Sequence, residues 1–384
     1  MVSGMTKRKF RVDHCGSFIR PEKLRNARVD RLHGRIDDAQ LAAVEDQAIL
    51  DVLKMQRDAG IEIYSDGEFR RAFWLSAISD KFFYGFEDRG IDYSRYPLLR
   101  DKDMSDRMEF VPQVPVAVER LRPKGRVTGD EIAFMKKHVP GAFKMTVPSS
   151  VMLSKFQHQL GVSDRAYPTW KDFFDHFTEL MAQEVKAIVD DGVSYVQVDA
   201  PGYSRFIVPE RLKTQVLDQG LDPEKEIEIV LAADNALLRA AKCDGVTVAV
   251  HICLGTYILG PQGALGGGGS TYVAPTIGRI IDSLEADTFL IEYSGRSGSL
   301  ESLRDVPKGK TISLGLINIR DPQVEAIDDV MHKIEAAAKF VPLENLSICP
   351  SCGFSGASAD AWISQDIERR KLDVMVETAR RVWG

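Results

Sequence analysis

The chain is predicted to fold as an α/β protein, a closed (β/α)8 barrel, on three observations. Short apolar runs rich in β-branched residues alternate with long amphipathic segments. There are eight such runs, and most of the intervening segments carry a readable helix start. That alternation argues for a parallel sheet with helical crossovers. Eight units in 384 residues suit a closed barrel. A doubly wound open sheet is the alternative. No GxGxxG follows the first run, so a dinucleotide site has no support.

The runs are Phe10–Ser17, Ile61–Asp66, Phe143–Pro148, Ser194–Asp199, Val246–Cys253, Thr288–Tyr293, Thr311–Ile317 and Asn345–Cys349. Asp37 caps Asp38–Ala59, with Gln40 in the capping-box position and Gly60 as the stop. Asp222-Pro223 opens Glu224–Lys242, and Asp321-Pro322 opens Gln323–Lys339. Each places an acid at the N-cap and proline at the first helical position. Further helices are expected over Thr169–Asp191, Pro275–Glu285 and Ala359–Val382.

Two stretches break the rhythm. Residues 72–138 are too long for a loop between the second and third runs. They hold Phe73, Trp74, Phe82, Phe83 and Tyr84, a proline-punctuated run Val111–Val118 and a short helix at Asp130–Lys137. They read as an insertion after strand two, over the barrel mouth, within a single domain spanning 1–384. The aromatic stretch suits a methyl-donor pocket, a lid, or a subunit contact, which would make a homo-oligomer. Gly266–Gly269 reads as a mobile flap or an ordinary surface loop.

Composition excludes several classes. Hydrophobic residues make up 44% and charged residues 28%, a globular balance. Fifty Lys+Arg against 56 Asp+Glu give a net charge of -6, so no nucleic-acid partner is expected. No apolar run reaches the roughly 18–20 residues that cross a bilayer, so no membrane partner is expected either. Basic residues in Met1–Lys9 precede no apolar stretch, so no secretory signal is read. Met5 is an alternative start. The five cysteines are odd in number and sparse, which predicts free thiols and a reducing, cytoplasmic setting.

His251-Ile252-Cys253 ends the fifth run. Period two puts His251 and Cys253 on one face with Thr247 and Ala249, and Val248, Val250 and Ile252 on the other. Imidazole and thiol thus converge at a strand's carboxyl end, where barrel active sites lie. His plus Cys is zinc chemistry. Cys349-Pro350-Ser351-Cys352 follows the eighth run and supplies a further thiol at the same rim. Glu292 ends the sixth run and suits a displaceable fourth ligand or a rim salt bridge. Acids also end the second and fourth runs, in Asp66-Gly67-Glu68 and Asp199-Ala200-Pro201. Such carboxylates bind an ammonium, move protons, or pair with Arg70 and Arg71.

These motifs resemble the catalytic domain of cobalamin-independent methionine synthase, and within that family the short single-barrel members. The matching pieces are Asp13-His14-Cys15-Gly16-Ser17-Phe18 with Arg20-Pro21, and Ser65-Asp66-Gly67-Glu68-Phe69-Arg70-Arg71. Gln197-Val198-Asp199, His251-Ile252-Cys253, Ile291-Glu292-Tyr293 and Cys352-Gly353-Phe354 follow in order. The resemblance implies a Zn2+ cofactor on His251, Cys253, Glu292 and Cys352, with Glu292 and Asp199 in the catalytic set. It implies a thiol amino-acid pocket of Gly16, Ser17, Glu68 and Asp199. There the Gly-Ser turn holds the substrate carboxylate and the two acids hold its ammonium. Cys349 has no counterpart in the metal set and reads as a bystander.

The implied activity is a zinc-dependent S-methyltransferase of methionine biosynthesis, with a small-molecule thiol acceptor such as homocysteine and a small-molecule methyl donor. Two departures qualify it. The family's proton-donor histidine is replaced by Arg320, which stays protonated and suits an anionic substrate group instead. That favours a methylcorrinoid or another small methyl compound over a folate. The family's Asp-Glu-Pro reads Asp199-Ala200-Pro201, one carboxylate fewer. The alternatives are a thiol alkyltransferase of the epoxyalkane:coenzyme M type, and a non-catalytic barrel with a structural zinc on His251, Cys253, Cys349 and Cys352.

Overall fold

A computed structural model describes residues 9–71, 74–75, 81–89, 115–152, 157–253, 274–293, 299–356 and 361–384. The expected flap at Gly266–Gly269 and most of the expected insertion lie outside these residues. The centre is a parallel six-stranded sheet in sequence order, β3-β4-β5-β6-β7-β8. Its strands are β3 (Lys144–Pro148), β4 (Tyr195–Asp199), β5 (Thr247–Ile252), β6 (Thr288–Glu292), β7 (Thr311–Ile317) and β8 (Leu346–Pro350). Every residue of β3, β4, β5 and β8 is buried. Burial on both faces is what parallel strands under helical crossovers require.

The first two expected strands, Phe10–Ser17 and Ile61–Asp66, are each reduced to a single parallel bridge. Val12 pairs with Ile348 of β8, and Tyr64 with Phe143 just before β3. Side chains take over where strand partners were expected. Gln56 accepts a hydrogen bond from Ser65 N at 2.9 Å and donates to Ser65 O at 2.8 Å. His14 Nε2 lies 2.8 Å from Ile63 O, and Ser65 Oγ donates to Gly16 O at 2.7 Å. One further backbone bond, Phe18 N to Gly67 O at 3.2 Å, also joins the two segments.

The alternation expected along β5 is present. Val248, Val250 and Ile252 join the large core beneath the helices. Ala249 belongs instead to a small inner cluster with Phe10, Cys15, Ile63, Tyr195, Leu290 and Cys349. Among these inner residues lies a buried ion pair between Lys144 and Asp13. Lys144 Nζ also donates to His14 O at 2.6 Å and to Gln197 Oε1 at 2.8 Å. Tyr195 donates its hydroxyl to Asp13 at 2.5 Å. Burial raises the Asp13 carboxyl, but the Lys144 charge, the neighbouring His14 and the hydrogen bonds from Lys144 and Tyr195 together leave it below its ordinary value.

Helix boundaries follow the caps. Asp38–Ala59 carries the full capping box, and Gly60 ends it in the left-handed region at φ 83°. Thr169 caps Trp170–Asp190 with a second capping box, and Asp222 caps Pro223–Ala241. Two starts differ. The helix expected from Asp321-Pro322 begins later, as Ile327–Ala337. The intervening residues are held in a loop because buried Lys371 binds Gln323 O and the Glu325 carboxylate. The last helix is Gln365–Trp383, capped by Ser364; the start expected at Ala359 lies outside the described residues. An unanticipated helix, Glu22–Leu32, follows Pro21.

Within the described part of 72–138, β1 (Phe83–Asp88) and β2 (Pro115–Pro123) form an antiparallel hairpin. Phe83 and Phe86 pack on Phe177 and Phe173 of helix Trp170–Asp190, with ring centroids 5.4 and 6.2 Å apart. Helix Gly129–His138 lies where a short one was expected. No helix among the described residues is long and apolar enough to cross a membrane.

Glu368, on the last helix, is buried and accepts Ile19 N at 2.9 Å. Burial, with no cation to offset it, raises its pKa to about 8. A carboxyl raised on folding stabilises the fold while protonated. That stability is lost as pH climbs from its unfolded value of 4.5 through 8. Glu368→Gln keeps an acceptor for Ile19 without the proton. Thermal melts from pH 5 to 9 are expected to decline less steeply for the variant than for the parent. Parallel declines would show that Glu368 does not titrate there.

Candidate active site

The carboxyl ends of β4, β5 and β6 stand in register, with Asp199 beside His251 and Glu292 beside Gly315 of β7. The chain leaving β8 brings Cys352 to the same place. The ligand atoms of His251, Cys253 and Cys352 lie within 4.8 Å of one another, all buried. The two sulfurs are 3.6 Å apart. Neither ring nitrogen of His251 has a hydrogen-bond partner. The Cys253 sulfur, burial and the Glu292 charge together hold the Cys352 thiol well above its ordinary value. Burial pulls His251 down, but Cys253 and Asp199 outweigh it and raise its pKa to about 9. Crowded sulfurs, a nearby carboxylate and an unpartnered buried imidazole form a set that demands a cation, and N/S donors suit zinc. The residues therefore fit the metal that the motifs imply.

Glu292 is buried beside this trio, and its charge reaches Cys352. Its carboxylate falls outside the group whose ligand atoms lie within 4.8 Å. Cys349 stands apart as well. Its sulfur points to Ser313 O at 3.5 Å and packs in the inner cluster with Cys15. A closed four-ligand set including Cys349 is thus not what the geometry assembles.

A second group of polar residues adjoins the trio. Gly16 has φ 104°, a conformation that disfavours a side chain. A Cβ there would sit 2.8 Å from Thr146 Cγ2 and 2.9 Å from Glu68 Oε1. His14 holds this turn: its Nδ1 accepts Gly16 N at 3.2 Å while Nε2 faces Ile63 O. That pattern assigns the neutral Nε2-H tautomer. Burial and the Lys144 charge lower the His14 pKa to about 3, so the ring stays neutral. Ser17 O accepts Phe354 N at 3.0 Å. Ser17 Oγ fills the space where Gly353 would carry a Cβ, 2.0 Å from that position. The Gly16-Ser17 turn and the Cys352-Gly353 loop are thus fitted to each other.

Glu68 is the one described non-glycine residue with positive φ, at 59°. Asp66 Oδ1 accepts its backbone N at 2.9 Å and holds it there. Thr146 donates its hydroxyl to Glu68 Oε1 at 2.7 Å. Glu68 Oε2 and Asp66 Oδ2 are buried without partners. Asp199 accepts Gln197 Nε2 at 2.7 Å, and Gln197 is oriented in turn by Lys144. Burial raises both Asp66 and Asp199 to about 7; Glu131 adds to the first and Glu68 to the second. Buried carboxylate oxygens short of protons are a receptor for an ammonium group.

Gly16, Ser17, Glu68, Asp199, His251, Cys253, Glu292 and Cys352 are thus linked to one another by contacts or by charge. Arg320 is not. It is half-buried in the turn after β7, and its side chain makes no hydrogen bond or ion pair among the described residues. Sequence reasoning gave no site role to His14, Thr146, Gln197 or Gly353, and left Asp66 outside the pocket. His14, Asp66, Gln197 and Gly353 all stand inside the quoted motifs, so their signal was present. Thr146 carries none.

Comparison with known proteins shows the family and the fold. The family model for the cobalamin-independent synthase catalytic domain matches residues 174–381. The chain is 28% identical to the uncharacterized protein YxjG of Bacillus subtilis, over 98% of this chain and 96% of that one. It is 23% identical to a methionine synthase of Saccharolobus solfataricus, covering 96% and 93% of the two chains. Its fold matches that of a putative vitamin-B12-independent methionine synthase of Listeria monocytogenes. The TM-score is 0.72, with 22% identity and 99% and 100% coverage. The same score, 0.72, relates it to a B12-independent methionine synthase of a Shewanella species solved with selenomethionine, at 18% identity and 97% coverage of both chains. With its own model spanning more than half of the chain, the protein belongs to the cobalamin-independent synthase catalytic-domain family.

Proposed function

We propose that the protein is a zinc-dependent S-methyltransferase that methylates the thiol of homocysteine or a closely related amino-acid thiol, within a closed (β/α)8 barrel. The observation that carries this reading is the adjacency of two unlike sites: a buried His251–Cys253–Cys352 trio, and carboxylates with unpartnered buried oxygens. One suits a soft metal and a thiol. The other suits an ammonium.

His251, Cys253 and Cys352 would hold the zinc, with Glu292 as the weaker ligand. When bound, the metal lowers the pKa of a substrate thiol so that the thiolate is present at neutral pH. The protein's own groups do the rest. The Gly16-Ser17 turn receives the substrate carboxylate at Ser17, since the Gly16 N-H is held by His14. Glu68 and Asp199, with Asp66 beside them, hold the ammonium. Holding both ends of the amino acid sets the thiol against the trio, which is catalysis by positioning. Arg320 stands in place of the family's proton-donor histidine and is no acid, which favours a donor whose leaving group needs no protonation. A methylcorrinoid or another small methyl compound meets that condition. The buried acids disfavour a sulfonate-bearing thiol, which is why the coenzyme M alternative is set aside. Barrel closure is supported by the inner cluster, which draws on the 10–17 and 61–66 segments as well as the sheet.

Metal analysis of the purified protein is expected to find one zinc per chain, lost in Cys352→Ala and kept in Cys349→Ala. Equal loss in both variants would refute the ligand assignment. Gly353→Ala tests the fit between the two sites. Its new methyl must displace Ser17 Oγ, so zinc is expected to be retained while kcat/KM for homocysteine drops about 100-fold. Unchanged kinetics would remove Ser17 from the pocket. Coenzyme M accepted in place of homocysteine would overturn the choice of acceptor.

A further inference from the structure

Arg71 sits behind Glu68, and how its charge is spent decides what Glu68 can bind. The guanidinium forms a fork with Glu131: Nε to Oε1 at 2.9 Å and Nη2 to Oε2 at 2.7 Å. Its remaining donors reach Thr146, Nη1 to Oγ1 at 2.8 Å and Nη2 to the carbonyl at 3.0 Å. Glu68 Oε1 is 3.6 Å from Nη1, a longer ion pair with no direct hydrogen bond, and it accepts the Thr146 hydroxyl that the same Nη1 donates to. All three charged side chains are buried. An arginine fork prefers a bidentate carboxylate, and here Glu131 occupies it. Glu68 Oε2 is left buried and without a hydrogen-bond partner.

Glu131 comes from helix Gly129–His138, sixty residues from Arg71 in the chain. We propose that Glu131 is a specificity-determining positioning residue: by holding Arg71 in a bidentate fork it keeps the guanidinium from closing on Glu68, and so selects thiols that carry an ammonium over those that lack one. Without Glu131, the uncompensated guanidinium turns to Glu68 and the two neutralise each other. The pocket then loses its preference for a cation. The segment between β2 and β3 thereby acts on selectivity from behind the site.

This inference rests on the reading of Glu68 as an ammonium acceptor, and the test separates the two. Homocysteine and 4-mercaptobutanoate differ only in the amino group. Each is titrated calorimetrically into the zinc-loaded parent protein, Glu131→Gln and Glu131→Asp. The parent is expected to prefer homocysteine. In Glu131→Gln that preference should shrink about tenfold, with 4-mercaptobutanoate binding no weaker than in the parent. Glu131→Asp, which keeps the charge, should restore most of it. A parent without preference removes the ammonium reading, and the inference with it. A parent preference that survives in Glu131→Gln, or equal weakening of both thiols, overturns the inference alone. Should Glu131→Gln not fold, the pair Arg71→Met with Glu131→Met removes both charges and is expected to retain the preference; its loss there also overturns the proposal.

Discussion

The ion pair between Lys144 and Asp13 sets the terms for everything above it. A buried ammonium is costly unless its donors are used, and Lys144 uses them on three groups from two other segments. It holds the Asp13 carboxylate, the backbone of His14 and the amide of Gln197. The amino-terminal segment, which has a single bridge to β8, is thereby fixed to the interior side of β3 and β4. Two consequences reach the site. His14 is placed to hold the Gly16 turn, and Gln197 presents its NH2 end to Asp199. The proposed carboxylate-binding and ammonium-binding halves of the pocket thus rest on one lysine.

The same logic recurs at larger scale. Among the described residues, the cations nearest the acid cluster make their closest ion pairs elsewhere. Arg71 is claimed by Glu131, and Lys144 by Asp13. Positive charge is present but engaged elsewhere, so the site retains a demand for it. Metal trio and acid cluster meet that demand separately, with Asp199 and His251 at the border between them.

The sheet was legible because buried parallel strands write themselves as unbroken apolar runs, and six of the eight runs became strands within a residue or two. The first two did not, since side chains of Gln56, His14 and Ser65 answer backbone groups in ways no periodicity records. Caps such as Asp37 with Gln40 were readable from local chemistry. Asp321-Pro322 misled because its competitor, Lys371, lies far along the chain. At the site, residues within short motifs were readable; Glu131 and Thr146, which act across long sequence separations, were not.

The amide of Gln56 has a consequence for how the helix is tied to the interior. One side chain, arising from the last turn of helix Asp38–Ala59, answers both the N-H and the C=O of Ser65. Both residues are buried, so water cannot take the place of that amide. Shape alone is therefore not enough at position 56: an apolar side chain of the same size would leave two interior backbone groups unanswered.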